Sequence, residues 1–410
     1  MAGSLSGRQL MSNLALNGAV EFREFSPRVV LERFGVDVET ADPDVLTRAS
    51  AKANLVYNSA QTALNDMQFV LDDSTLTGRF ALEGERIGYD LTIDKINVDR
   101  YLPPAEEGDA AAAAEEEGSL DAVDLPLDVM RTIQARGELK FGETKFSNLT
   151  LTNVTFALNA ANGAVRLTPS AQLYGGRLAG QIGLVVEGDS ARMTFEQRLD
   201  DVNIAALGQD LLGSQDITGT GDVRLNLMAQ GSNLGAMRRD LDGDVGFTVT
   251  NGSLEGFDFW YELRRARARI DGTTMPERGD APRRTTFSSL SATGVVQDAV
   301  LMNNDLNGTL DFMSIDGAGT VNLLNDAIDF DLTAKLVDGP TLQSDPGMAK
   351  MAGDTLPLKV TGTIDAPSVL PDFNAIVRQQ VQQEVDEAVE EKREEVREEL
   401  RDRLRGIFNR

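Results

Sequence analysis

The sequence predicts a mainly β protein: one long curved antiparallel sheet, a β-groove built of hairpin repeats, with short helical inserts and a long charged amphipathic helix at the C-terminus. Three observations carry that prediction. Apolar residues return in alternating phase over short runs, as at Tyr89, Leu91 and Ile93, or Leu178, Ile182, Leu184 and Val186. The same alternation recurs at Val223, Leu225 and Leu227, at Val245, Phe247 and Val249, and at Ile328, Phe330, Leu332 and Leu336. This is the period of a half-buried antiparallel strand, with one apolar and one polar face. Glycine turns punctuate the runs, Asn162-Gly163 and Tyr174-Gly175-Gly176 among them. Beyond residue 371 the alternation gives way to helical spacing.

Taken in order, residues 1–24 read as a strand pair that begins as though inside a fold, so a preceding N-terminal part is expected. Ser26-Pro27 is a helix cap followed by proline at the first helical position, and Val29, Val30, Leu31 and Phe34 keep helical spacing to Gly35. Asp42-Pro43-Asp44-Val45-Leu46 has the same form and predicts a second short helix. Strands resume over residues 51–98. Residues 103–121 are acidic and alanine-rich and cannot bury enough apolar surface to offset ordering, which predicts a disordered linker.

The strand pattern restarts at Gly137, and its apolar phase slips between Leu151 and Val154, the mark of a bulge. Asn162-Gly163 then joins that strand to Val165. Gly219-Thr-Gly221 opens a further hairpin unit, and Leu241 to Val249 joins Asn251-Gly252. Phe257 to Arg269 is helical in spacing, with aromatics at one end and arginines at the other, and residues 271–285 read as a polar loop. The domain reading is therefore a β module with short helices over 1–102, a linker over 103–124, a β-groove region over 125–371 and a helix over 372–408.

In that last helix Val381, Val385, Val389, Leu400 and Leu404 belong to one narrow apolar seam. Glu390, Glu394, Glu398 and Asp402 each stand three residues before an arginine (Arg393, Arg397, Arg401 and Arg405), and each such pair contributes about 0.2–0.5 kcal/mol. Two readings stay open here: a self-stabilised solvated helix or coiled coil, or a docking helix for a partner.

Composition excludes much chemistry. With 65 acidic against 39 basic residues the chain carries a formal charge of −26, which repels phosphate backbones and excludes nucleic acid as a partner. It has no cysteine and no histidine, so the usual zinc sites and the Ser-His and Cys-His nucleophile pairs are absent. Asp240-Leu-Asp242-Gly-Asp244-Val-Gly246 approaches a calcium loop, yet its glycine is one place late and Asn251 stands at position twelve. It reads as an acidic turn. Gly219-Thr-Gly221 is followed by Arg224 where a dinucleotide loop needs its third glycine. No catalytic, cofactor-binding or metal residues are assigned, and no enzyme is expected. Arg264, Arg265, Arg267 and Arg269 form either a solvated helix end or a contact for anionic lipid.

The chain resembles the C-terminal region of AsmA-family proteins of Gram-negative bacteria. Phe25-Ser-Pro-Arg-Val-Val-Leu-Glu-Arg-Phe-Gly followed by Ala41-Asp-Pro is similar to the family's "F-x-P-R-x-L-L-x-x-L-G … A-D-P" element. Leu71-Asp-Asp-Ser-Thr-Leu-Thr-Gly and Tyr89-Asp-Leu-Thr-Ile-Asp-Lys-Ile-Asn-Val-Asp-Arg-Tyr-Leu-Pro-Pro look like two further signatures. Leu173-Tyr-Gly-Gly-Arg-Leu-Ala-Gly and Leu356-Pro-Leu-Lys-Val-Thr-Gly-Thr-Ile-Asp-Ala-Pro also fit. The resemblance implies a periplasmic body tethered to the inner membrane through an N-terminal anchor that this chain lacks, and a part in outer-membrane biogenesis. It implies no catalytic residues. Larger relatives look like β-grooves that carry phospholipid between membranes. On that reading phospholipid or another acyl lipid is the partner, and Leu91, Ile93, Ile182, Leu184, Val186, Leu225, Leu227, Phe247, Phe330 and Leu332 are the candidate groove residues. The alternative is a non-catalytic scaffold with a closed core, which acts on outer-membrane assembly proteins through its C-terminal helix.

Overall fold

The computed structural model describes residues 2–8, 14–104, 124–277, 279–280, 282–364 and 366–371, with residues 389, 392, 393 and 397 of the C-terminal segment. Nineteen strands form one open, curved sheet. The first part runs β1 (Ala2–Arg8), β2 (Ala15–Phe25), α1 (Pro27–Arg33), β3 (Ala49–Tyr57), β4 (Gln61–Leu71), β5 (Ser74–Glu83) and β6 (Arg86–Asn97). A 3-10 turn (Val98–Tyr101) and α2 (Leu127–Thr132) precede β7 (Gln134–Phe146), β8 (Leu149–Ala161), β9 (Ala164–Leu173), β10 (Gly176–Glu187) and β11 (Ser190–Asn203). Then come α3 (Ile204–Leu212), β12 (Thr220–Gly231), α4 (Leu234–Arg239), β13 (Asp242–Glu255) and α5 (Phe259–Asp271). The chain continues through β14 (Arg284–Gln297), β15 (Val300–Leu310), β16 (Met313–Asn322) and β17 (Ala327–Leu336). It ends its described fold with α6 (Pro340–Gln343), α7 (Pro346–Ala349), β18 (Thr355–Thr363) and β19 (Pro367–Pro371).

Every strand pairs with its successor, antiparallel throughout except at one step. That step is β6 to β7, which run parallel from Arg86↔Gln134 to Asn97↔Lys145. Parallel neighbours need a connection that recrosses the sheet. Residues 98–133 supply it, and the acidic alanine-rich tract expected as a linker lies in that crossover. Its residues 105–123 fall outside the described residues.

The turns follow from residues that tolerate left-handed backbone. Asn162 and Gly163 have φ of 53° and 77°, and Tyr174 and Gly175 have 47° and 84°, both within two-residue hairpin loops. The slip between Leu151 and Val154 is a bulge: register shifts between Thr152 and Thr155, with Asn153 at φ 50°. Comparable shifts fall at Leu64/Met67, beside Asp66 (φ 51°), and at Leu199/Val202, beside Asp201 (φ 57°). Bulges repeated along a sheet raise its twist and bend its strands.

Two local expectations need correction. Asn251-Gly252 is no hairpin turn: it lies inside β13, with Asn251 at φ 51°. A Cβ on residue 252 would stand 2.2 Å from the Thr218 carbonyl oxygen and 2.3 Å from the Phe287 ring, so the glycine admits those neighbours. Residues 42–46 form turns and bends instead of a helix. Long-range partners hold them: Ala41 and Asp42 donate their N–H groups to the Leu102 and Arg100 carbonyls, and Arg100 Nε meets Asp42 Oδ2 at 2.7 Å. Alpha1 forms as expected, with the Ser26 hydroxyl accepting from the Val29 N–H at 3.3 Å.

Two small cores sit at the strand ends. One packs Leu263 of α5, Leu342 of α6 and Met348 of α7 against Phe312, Met313, Ala334, Leu336 and Leu358. The other packs Met237 of α4, with Leu125 and Leu127, against Ala191, Ala229, Leu184 and Met193. Of the expected C-terminal helix, Val389, Lys392, Arg393 and Arg397 are helical and exposed. Val381, Val385, Leu400 and Leu404 lie outside the described residues.

Candidate functional site

Pairing register turns the alternation of single strands into continuous rows across the sheet. One row runs from Leu227 to Phe195, Ile182, Leu167 and Leu158, each directly opposite the next. It continues through Gly137, Tyr89, Phe80, Leu64 and Leu55. A second row joins Phe247 to Val223, Leu199, Leu178 and Ala171.

The sequence-derived candidates fall on this same apolar face. Leu91 and Ile93 stand opposite Leu139 and Phe141, Leu184 opposite Met193, and Val186 opposite Ala191. Leu225 stands opposite Val245, Phe330 opposite Val360, and Leu332 opposite Leu358. The intervening residues face the other way and are mostly polar, with Val185, Met228 and Val295 as exposed exceptions. Arg79 there lies opposite Asp90, Lys140 pairs with Glu138 at 2.8 Å, and Lys359 pairs with Asp331 at 2.9 Å.

Glycines shape the face. A Cβ at Gly319 would lie 2.5 Å from Phe330 Cγ, and one at Gly137 would lie 2.5 Å from the Tyr89 ring. Each large side chain therefore leans across a strand that has none, which lets neighbouring strands bend toward the apolar side without collision.

Among the described residues the helices cover only the strand ends. Between them Leu91, Ile93, Ile182, Val186, Leu225, Leu227 and Phe330 are half-buried and Phe247 is 37% exposed, while Leu184 and Leu332, also half-buried, pack on the two end cores. A cavity of about 270 Å³ opens on this face, walled by Phe247, Leu301, Leu306, Phe330, Leu332 and Val360. Leu332 also packs on the helix-covered core, so the cavity abuts the plug formed by α5, α6 and α7. Two broader hollows, of about 830 and 1270 Å³, share Arg198 and Asp222, and the larger is also lined by Leu225, Phe247 and Val295. A twisted sheet is saddle-shaped, concave along opposite diagonals on its two sides, so both faces can carry hollows.

The motif-bearing segments at the N-terminal side form a knot of polar contacts away from these rows. Asp72 accepts the N–H groups of Leu46 (2.8 Å), Thr47 (3.0 Å) and Arg48 (3.1 Å), and the Tyr101 hydroxyl at 3.0 Å. Arg28 donates to the Val38 carbonyl at 2.8 Å, to Thr40 Oγ1 at 2.6 Å and to the Val45 carbonyl at 3.2 Å. Arg100 bridges Asp42 and Asp73. Burial pushes the Asp72 carboxyl up, but its hydrogen bonds from the three amides and Tyr101 outweigh burial and hold it below its ordinary value. Burial, and then the bond to Asp72, push the Tyr101 phenol up to about 12. These residues are spent on one another and present no free acid, base or nucleophile. They pin the loop after α1 to the β4–β5 turn.

The AsmA family pattern matches residues 4–306, these segments included. The chain belongs to the AsmA family. It is 20% identical to Protein AsmA of Escherichia coli (strain K12) over 362 residues, 82% of this chain and 58% of that protein. The chain thus spans less than two thirds of that relative's length. No solved structure matches it. The family match takes in the polar knot and most of the apolar rows, and stops within β15, short of α6, α7 and β16–β19. No helix among the described residues is long and apolar enough to cross a membrane.

Sequence reading missed α2, which has no side-chain cap, and with it α3, α4, α6 and α7. The starts of these last four were available as signals: Asn203 accepts from the Ala206 N–H, Asn233 from the Ala236 N–H, and Asp345-Pro346 and Gly339-Pro340 place proline at the first helical turn.

Proposed function

We propose that this AsmA-family chain serves outer-membrane biogenesis in the periplasm, holding or conducting phospholipid acyl chains along its apolar face between the inner and outer membranes. The observation that carries the reading is the apolar row from Leu227 to Leu55, interrupted only at Gly137 and half-buried along its length among the described residues. Family membership supports an envelope protein of this kind. Conduction along such a face needs no chemistry, only continuous apolar contact at roughly 0.8 kcal/mol per buried methylene. The protein is therefore proposed to be no enzyme and to use no cofactor. Tethering by an N-terminal anchor to the inner membrane, and contact with outer-membrane assembly proteins, belong to the same proposal.

Native mass spectrometry of the chain expressed in bacteria, with lipid extraction of the same sample, tests it. Co-purified phospholipid that is lost in Leu184→Glu and Leu225→Glu is the expected result. A lipid-free, monodisperse protein with a cooperative melt overturns it in favour of a closed scaffold, which would act through its C-terminal helix.

A further inference from the structure

We propose that the apolar cavity over β13–β18 is a seat for the methyl end of a single acyl chain, which enters at β13 and points its tail at the helical plug. The inference rests on the lipid-holding reading of the apolar face and names the part of the lipid that this stretch takes. Six successive strands wall the cavity of about 270 Å³, from Val245 and Phe247 of β13 to Val360 of β18, so it is a trough drawn out across the sheet. A methylene is close to water in size, and at about 30 Å³ each the trough holds roughly nine.

The lining selects hydrocarbon and rejects a headgroup. Its polar residues are Thr293 and Asn303, and both are spent within the sheet. Asn303 donates from Nδ2 to the Thr293 carbonyl at 2.6 Å and to Asp305 Oδ1 at 2.7 Å, and its Oδ1 accepts the Leu306 N–H at 3.3 Å. The Thr293 hydroxyl donates to Asp305 Oδ2. A phosphate or glycerol in the trough would give up its water and find no donor in return, whereas a methylene has no such bonds to lose.

Glycines make the room. Gly294 and Gly317 have no left-handed φ, so backbone freedom accounts for neither. A Cβ at 294 would run into Leu301, and one at 317 into Leu332 and, at 3.1 Å, Leu306. These three leucines wall the trough, and each lies down over a position that carries no side chain. The two ends of the trough differ. At β13, Phe247 is exposed and Val245 stands opposite Leu225, which continues the apolar face. At the far end Leu332 packs on the plug core, as does Trp260. A tail threaded from β13 keeps its headgroup in water at the mouth and brings its methyl end to the plug.

Trp260 is the chain's one tryptophan, so its emission reports on the plug end. Titrating the full chain with dodecanoate brominated at its methyl end should quench Trp260, and dodecanoate brominated beside its carboxylate should not. Dodecyl phosphocholine and dodecyl maltoside should relieve the quenching equally. Each methylene displaced costs roughly four-fold in affinity, so Ala292→Leu, which puts three more carbons into the trough, should weaken binding about 60-fold. Val185→Leu, at an exposed position of the opposite face, should leave binding unchanged, with circular dichroism confirming that both variants fold. Equal quenching by the two brominated tails, quenching by neither, or competition that depends on the headgroup overturns the inference, and none of these readings needs a variant. Phospholipid that co-purifies while neither tail quenches Trp260 overturns this seat and leaves the lipid-holding reading standing. Absence of both overturns the two together.

Discussion

Replacing Asp72 by alanine should release the loop after α1 from the sheet. The Asp72 carboxylate accepts three backbone N–H groups at 2.8–3.1 Å, besides the hydroxyls of Thr47 and Tyr101. Hydrogen bonds to a charged group are worth about 1.5–3 kcal/mol each, less where water replaces the lost acceptor. Thr47 and Arg48 are exposed enough to be rehydrated, whereas Leu46, half-buried and at φ 59°, relies on the bond to keep a left-handed backbone. The expected loss is therefore about 3–4 kcal/mol, well below the sum of five full bonds. Hydrogen exchange reads it locally: the amides of residues 46–48 should exchange about two to three orders of magnitude faster, while those of β12–β14 stay unchanged. The effect is tied to pH. The folded carboxyl titrates below its unfolded value, near 3.8, so its stabilisation is complete above that value and lost as pH falls through the folded one. In Asp72→Asn that acid-dependent loss should disappear. Exchange at residues 46–48 within ten-fold of the parent in Asp72→Ala would refute this account of the knot.

Further outcomes follow from single contacts. Gly319→Val places carbon where Phe330 lies and should cost about 1–3 kcal/mol in urea unfolding, with β16 and β17 losing exchange protection first. Leu342→Ala empties a fully buried position of the plug, should cost about 2–5 kcal/mol, and should raise binding of an apolar dye as the covered face opens. Ultraviolet titration should find one tyrosine ionising near 12, absent in Tyr101→Phe. An ordinary profile for all five tyrosines would remove Tyr101 from the knot.

The strands were legible because their signal is local. Alternation at Val223, Leu225 and Leu227 or at Ile328, Phe330 and Leu332 specifies a two-faced strand whatever it pairs with, and Asn162-Gly163 and Ser26-Pro27 write a turn and a cap within four residues. The slip at Leu151 to Val154 betrayed a bulge for the same reason. Asn251-Gly252 shows the limit. Its dipeptide matches that of the hairpin at 162–163, yet the strand runs on through it in unshifted register, with Thr218 and Phe287 packed close against Gly252. Residues 42–46 were misread because the contacts that bend them come from Arg100 and Leu102, nearly sixty residues away.

What the sequence by itself determined is the two-faced character of the chain: which residues are apolar by alternation, where it turns, and which chemistries its composition excludes. Those are properties of neighbours along the backbone, and no partner strand is needed to read them. The tertiary structure alone decided the parallel step from β6 to β7, the alignment of separate strands into one row from Leu227 to Leu55, and the helical plug over the ends of β16–β18. Register between distant strands is set by which apolar faces meet and by bulges that shift the count. That information is spread over the whole sheet and is present in no single segment.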